Sequence, residues 1–328
     1  MVKVGIPRGL FYYYFFPLWC DFFHNLGAEV VLSQPTNKKI LNRGVSLAVD
    51  EACLPVKLFY GHVVDLADKV DYLFLPRLVS TAQKEYICPK FMGLPDMIKA
   101  ADIKLPHLIE VDFDLSKTEK AAQKAAVTMG SYLTNSRIKI RKAWHLARFS
   151  QQQYELLLEK GQSPMQALEL WTGERDYCHE EQQETERPVL GLLGHGYNIY
   201  DRHISMDIIQ RLHKQGARVV TAENIPDAII ENEAAKLPKR MFWTLGKRQI
   251  GAALHLMKRP DIKGIIHVAS FGCGPDSLVG ELVERYIRRA GTMPFLFLTI
   301  DEHTGEAGLV TRLEAFWDMI VRRDTLCQ

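Results

Sequence analysis

Three of the six cysteines share one local grammar: Cys53-Leu54-Pro55, Cys88-Pro89 and Cys273-Gly274-Pro275. Cys20, Cys178 and Cys327 have no proline within the next two residues. Proline makes up only 15 of 328 residues, so the recurrence argues for a shared loop structure. Proline stiffens the loop it closes, and Cys-Pro punctuation is common where thiolates hold iron–sulfur clusters. Three thiolates from distant stretches of one chain fit a 4Fe–4S cluster whose fourth iron takes a ligand that is not cysteine. Zinc is the alternative metal, but the Cys-x2-Cys pair usual in its sites is missing. A buried cysteine acting as a small hydrophobe is the plain alternative at any single position. That reading fits Cys20, on an aromatic helix face. Cys327 stands at the end of the sequence, and the role of Cys178-His179 is open.

Other residues with chemistry lie in loops after predicted strands. Gly272 and Gly274 flank Cys273 and permit close backbone approach and N–H···S bonds to a cluster. The turn Gly194-His195-Gly196-Tyr197-Asn198 either cradles a phosphate or cluster ligand or is simply tight. It lacks the full Gly-x-Gly-x-x-Gly pattern, since position 199 is Ile, and no P-loop is present. Asp301-Glu302-His303-Thr304 follows the last strand, where Glu302 and His303 are the candidate catalytic pair; an acidic helix start is the alternative. Glu51, Lys57 and Arg77 carry the same ambiguity.

These residues need a scaffold that brings loops together. Val2–Ile6, Glu29–Leu32, Tyr72–Leu75 and His107–Val111 read as strands alternating with amphipathic helical stretches at Leu10–Leu26, Lys38–Val45, Leu54–Leu66 and Leu94–Ala101. The same rhythm resumes after Pro188 with strands Val189–Leu193, Arg218–Thr221, Gly264–Ala269 and Pro294–Ile300. Helices are expected at Asp201–Gln215, Leu245–Met257, Pro275–Ala290 and Gly305–Val321. Alternation of this kind predicts an α/β fold of two Rossmann- or flavodoxin-like domains with parallel sheets. The expected division is 1–116, a helical connector 117–186 including a polar linker Glu180–Arg187, and 187–328. Ligands in such folds collect outside the carboxyl ends of the strands, where all three marked cysteines are expected. A thiol at a helix N-terminus there is expected to have a lowered pKa.

The bulk composition is that of an ordinary globular chain, 47% hydrophobic, with 41 basic against 39 acidic residues. No charge run suggests nucleic acid, and no segment approaches a membrane span. The cysteine spacing is unlike a secreted disulfide framework, so a reduced, cytoplasmic setting is expected.

In combination, Gly5-Ile6-Pro7-Arg8, Pro35-Thr36-Asn37, Asp50–Lys57, Tyr86-Ile87-Cys88-Pro89-Lys90, Phe271–Asp276 and Asp301-Glu302-His303 are specific. On these strings the chain resembles the activase-related branch of the 2-hydroxyacyl-CoA dehydratase D-component family. Benzoyl-CoA reductase subunits and double-cubane-cluster proteins are relatives. The resemblance covers nearly the whole length. It implies that Cys53, Cys88 and Cys273 bind a 4Fe–4S cluster, supplied with electrons by a separate ATP-hydrolysing iron–sulfur activator. Relatives use those electrons for reductive or radical chemistry on acyl-CoA thioesters and work as dimers, so a homodimer or a heterodimer with a related subunit is expected. An activase-like ATPase domain, fused in other members, is absent from this sequence. A bridged double-cubane cluster needs more ligands and would draw on Cys178 or a second subunit. The rival expectation is a non-catalytic cluster carrier or scaffold that docks with a dehydratase or its activator.

Overall fold

Short β-branched and aromatic runs, each followed by an amphipathic stretch, build two parallel sheets. The computed structural model describes residues 1–116, 118, 120–173, 187–291 and 293–326. Cys178, His179, most of the polar linker and Cys327 lie outside the described residues. The chain forms two units: Met1–Leu158 with Phe242–Thr244, and Glu159–Met241 with Leu245–Gln328. Among the described residues, no helix is long and apolar enough to cross a membrane.

The first unit holds β1 (Lys3–Ile6), β2 (Glu29–Leu32), β3 (Tyr72–Ser80) and β4 (His107–Asp114) in the order β2-β1-β3-β4. The second holds β5 (Val189–Gly194), β6 (Arg218–Thr221), β7 (Ile262–Ser270) and β8 (Phe295–Ile300) in the order β6-β5-β7-β8. Every pairing is parallel, and the two orders are the same. This is the flavodoxin-like winding, with the switch point between the first and third strands of each sheet. The expected pair of Rossmann- or flavodoxin-like domains is what the chain forms.

β3 runs past Pro76, where the sequence suggests a stop. Its pairing with β1 ends at Leu73, so beyond that point β3 has an open side that tolerates proline. Conversely, the predicted helix Asp201–Gln215 is helical only over Ile208–Lys214. Asp201 Oδ1 accepts from the N–H groups of His203 and Ile204, and Met206 and Asp207 take positive φ, so turns replace the first half.

In the first unit, helix α1 (Tyr12–Asn25) buries Tyr12, Tyr13, Phe16, Trp19, Phe22 and Phe23. Each fully buried aromatic of this kind contributes on the order of 2–3 kcal/mol by leaving water. Pro17 lies inside α1 and offers no N–H to the Tyr13 carbonyl. The Tyr154 hydroxyl donates to that carbonyl at 2.7 Å, tying the long helix Arg137–Glu159 to α1.

Helices α2 (Lys38–Leu47) and α3 (Leu54–Leu66) touch backbone to backbone. A Cβ on Gly44 would lie 1.9 Å from the Lys57 carbonyl oxygen, and one on Gly61 2.1 Å from that of Ile40. Beneath them, His62 is fully buried, with Nδ1 2.9 Å from Ser33 Oγ and Nε2 3.0 Å from Thr36 Oγ1. Ser33 Oγ also accepts from the Arg8 N–H, and in either neutral tautomer the imidazole donates to one hydroxyl and accepts from the other. Burial lowers the pKa of His62 to about 4, with Asp65 opposing and Arg8 assisting.

Two outcomes follow from this packing. Gly61→Ala, which has no room at the α2–α3 crossing, lowers unfolding free energy in urea by about 3 kcal/mol. The His62 shift is downward, so its stabilisation is complete above pH 6.5 and lost as pH falls towards 4. Over that window it removes about 3 kcal/mol, and His62→Gln flattens this part of the stability–pH curve.

Candidate functional site

The rim where β5 and β7 end, at the switch point of the second sheet, carries a buried polar network. β5 closes on Gly194 at φ +141°, a conformation L side chains rarely adopt. A Cβ there would sit 2.4 Å from the Val268 carbonyl oxygen, so the chain leaves β5 flush against β7. The Gly194 N–H donates to Gln249 Oε1 at 2.8 Å. His195 follows as N-cap of the single helical turn Gly196–Ile199. From β7, the turn through Gly272 (φ +75°) delivers Cys273 as N-cap of the helix Gly274–Ala290, with Pro275 and Asp276 in its first turn.

His195, His267, Asn198, Ser270, Cys273 and Asp276 are all buried. His267 Nε2 lies 3.0 Å from Asp276 Oδ1, and His195 Nδ1 lies 3.7 Å from Asp276 Oδ2. The Tyr197 hydroxyl is 2.7 Å from the same His195 nitrogen, and Ser270 Oγ donates to Asn198 Oδ1 at 2.7 Å. One ligand atom each of His195, Cys273 and Asp276 falls within 4.8 Å of the other two. Asp276 Oδ2, His267 Nδ1, Asn198 Nδ2 and Gln249 Nε2 are buried without a hydrogen-bond partner among the described residues.

Burial pushes the His195 imidazole below its ordinary pKa, against the pull of Asp276. Burial alone would raise Asp276, but the charge of His195 and the hydrogen bond and charge of His267 outweigh it and hold the carboxyl low. An imidazole driven neutral by burial lends little charge, so the His267 hydrogen bond is the firmer cause.

In the first unit, Cys53 is the N-cap of α3, with Pro55 in the first turn. Cys88 is the N-cap of the short helix α4 (Pro89–Met92), which begins with Pro89. Lys90 Nζ donates to the Glu51 carbonyl at 2.9 Å and so ties α4 to the loop before Cys53. Burial raises Cys53; Lys90 and the Val56 N–H counter it, while Cys88 adds to the rise. Burial also raises Cys88, against the Lys90 N–H and ammonium. The expected lowering at helix N-termini is present as a contribution, but desolvation outweighs it. Cys20 lies within α1, its thiol pushed up to about 12 by burial and then by Asp21.

The remaining predicted residues sort as follows. Gly272 supplies the left-handed turn before Cys273, whereas a Cβ on Gly274 would meet open space. Glu302 is half-buried and His303 exposed at the carboxyl end of β8, which adjoins β7. There Asp301 Oδ1 accepts from the His303 N–H at 2.9 Å and from Thr304 Oγ1 at 2.8 Å, forming a closed turn before the helix Glu306–Leu326. Lys57 is buried and Glu51 exposed. Arg77 pairs with Asp96 at 2.7 Å and Asp112 at 3.3 Å, a tie between β3, β4 and the helix Leu94–Ala100. A groove of about 610 Å³ involves Lys39, Arg43, Asp65, Lys69 and Lys104, among residues preceding β3 and β4, at the edge opposite the strand ends. Asp276 and His267 are the residues that sequence reasoning passed over. Their signals are a histidine inside the apolar run Ile265-Ile266-His267-Val268 and a carboxylate one helical turn after Cys273.

The family model of the CoA enzyme activase uncharacterised domain matches residues 3–225, and the chain belongs to that family. This fits the activase-related family of CoA dehydratase systems. No curated protein matches the sequence. The matched stretch contains Cys53, Cys88 and His195, while His267, Cys273 and Asp276 lie beyond it.

Gly194→Ala combines forbidden φ with a backbone clash at the entrance to the network. It lowers the unfolding free energy by about 3 kcal/mol in urea titration, whereas Gly274→Ala, in open space, changes it by less than about 1 kcal/mol.

Proposed function

We propose that the chain is an iron–sulfur component of an activator-linked CoA-dehydratase-type system, with Cys53, Cys88 and Cys273 as thiolate ligands of one 4Fe–4S cluster. The observation that carries this reading is a shared position. All three are helix N-caps followed by proline in the first turn. The donor set fits the group. Helix N–H groups favour the anionic sulfur, and the raised thiols of Cys53 and Cys88 need a cationic partner to ionise. Cluster binding therefore releases protons from these thiols.

When bound, such a cluster accepts and returns single electrons at low potential, within limits set by hydrogen bonds and burial. The donor is an ATP-hydrolysing iron–sulfur activator, and the acceptor a small substrate of the acyl-CoA class. The chain's own part is to hold three thiolates rigid, to shield them at Cys53 and Cys273, and to donate the Val56 N–H towards Cys53. In this reading the chain is a D-component-like subunit that works as a dimer in the cytoplasm, with Glu302 and His303 serving proton transfer. The half-exposure of Cys88 favours a second reading, a cluster carrier that passes electrons to a docked enzyme.

Anaerobic purification with iron and acid-labile sulfide analysis tests the assignment. Equal iron and sulfide are expected, with Cys53→Ser, Cys88→Ser and Cys273→Ser each losing most of both. Cys20→Ala keeps them. Full cluster content in the three serine variants would end the proposal.

A further inference from the structure

We propose that His195, Cys273 and Asp276 form a mononuclear site for a divalent transition-metal ion of the zinc class, contained within the second unit. One sulfur cannot serve both centres, so this site and the cluster are alternative occupancies of Cys273, and the remaining ligands differ.

The donor types suit the ion: imidazole, thiolate and carboxylate are the three ligand classes zinc takes, and three protein ligands with one open position is the pattern of reactive zinc sites. Bonds of roughly 2.0–2.3 Å in a tetrahedron set ligand atoms roughly 3.3–3.8 Å apart. The His195 Nδ1 to Asp276 Oδ2 separation of 3.7 Å needs to close by a few tenths of an ångström to the roughly 3.3–3.5 Å of nitrogen and oxygen ligands, and Cys273 approaches from within the 4.8 Å limit.

Charge points the same way. Once Cys273 has lost its proton to an incoming ion, its sulfur and the Asp276 carboxylate carry two negative charges, which one divalent cation cancels. Asp276 is fully buried, and its Oδ2 accepts no hydrogen bond from a described residue. Buried carboxylate oxygens without donors are rare and call for a specific explanation.

The surroundings are already arranged as a supporting shell. His267 donates to Oδ1 of Asp276 at 3.0 Å, leaving Oδ2 as the single coordinating oxygen. Carboxylate and histidine ligands are generally fixed by such partners. The Tyr197 hydroxyl lies 2.7 Å from His195 Nδ1, the lone pair a metal would take, so metal binding displaces that hydroxyl or recruits it to the fourth position.

The probe is Co(II), titrated into the reduced full-length chain stripped of iron by chelator, with zinc displacement as the check. One Co(II) per chain is expected, with tetrahedral visible absorption and a thiolate-to-metal charge-transfer band. Cys273→Ser should lose that band, and His195→Gln and Asp276→Asn should weaken binding at least about tenfold. Cys53→Ser and Cys88→Ser should bind as the parent does. These two variants lose cluster content under the cluster reading, so the two ideas fail separately. Zinc X-ray absorption on the parent protein reads the coordination shell directly, even where a variant fails to fold. One sulfur with nitrogen and oxygen neighbours supports the site. A shell of three sulfurs, a shell without sulfur, or parental affinity in both His195→Gln and Asp276→Asn overturns it.

Discussion

Parallel strand pairing is the constraint from which the rest of this structure follows. When every strand in a sheet points the same way, all strands end on one edge, and the helices that return must begin there. Helix N-termini gather at that edge with their unpaired N–H groups and partial positive charge. Cys53 and Cys273 occupy such starts, and Cys88 caps the short helix that follows β3. The cysteines were recognisable by proline because proline belongs in the first turn of a helix, where its missing N–H is not needed. The motif is thus a statement about helix starts, and the chemistry is a consequence of where helix starts fall.

Burial works against that advantage. The N–H groups and Lys90 favour thiolate at Cys53 and Cys88, yet desolvation wins and the thiols are raised. At the other rim the balance differs, because Asp276 is held low by imidazole neighbours in spite of complete burial. One rim therefore holds thiols raised by burial, and the other a carboxylate whose second oxygen accepts no hydrogen bond from a described residue. Both are arrangements in which a metal lowers the electrostatic cost of what the fold has buried.

The sheet architecture was legible in the sequence because strand and helix periods differ and alternate. Glu29–Leu32 and Arg218–Thr221 match the observed strands to the residue. The errors have local causes. Pro76 reads as a stop only if β3 is paired on both sides, and the register shows it is not. The start of the 201–215 stretch reads as helix because nothing in its composition announces the positive φ of Met206 and Asp207. The cysteine positions were legible, but the partners of Cys273 were not. His195 was visible only as part of a glycine-rich turn. Asp276 stood only within the string Phe271–Asp276, and His267 only within the strand Gly264–Ala269.

Those partners escaped notice because tertiary pairing, not sequence proximity, joins them. His195 and Cys273 are 78 positions apart in the chain, and adjacency arises because β5 and β7 are neighbours across the switch point. The β5–β7 register runs from Leu190↔Gly264 to Gly194↔Val268, so the loops after each strand leave side by side. Gly194 then removes the last spacer between them, since a side chain there would collide with Val268. The family match ends at residue 225, before β7 begins, so it spans only the His195 half of this arrangement. The proposed metal site of the second unit is therefore a property of the β5–β7 pairing as a whole. Neither the glycine turn nor the Cys-Gly-Pro turn holds it alone.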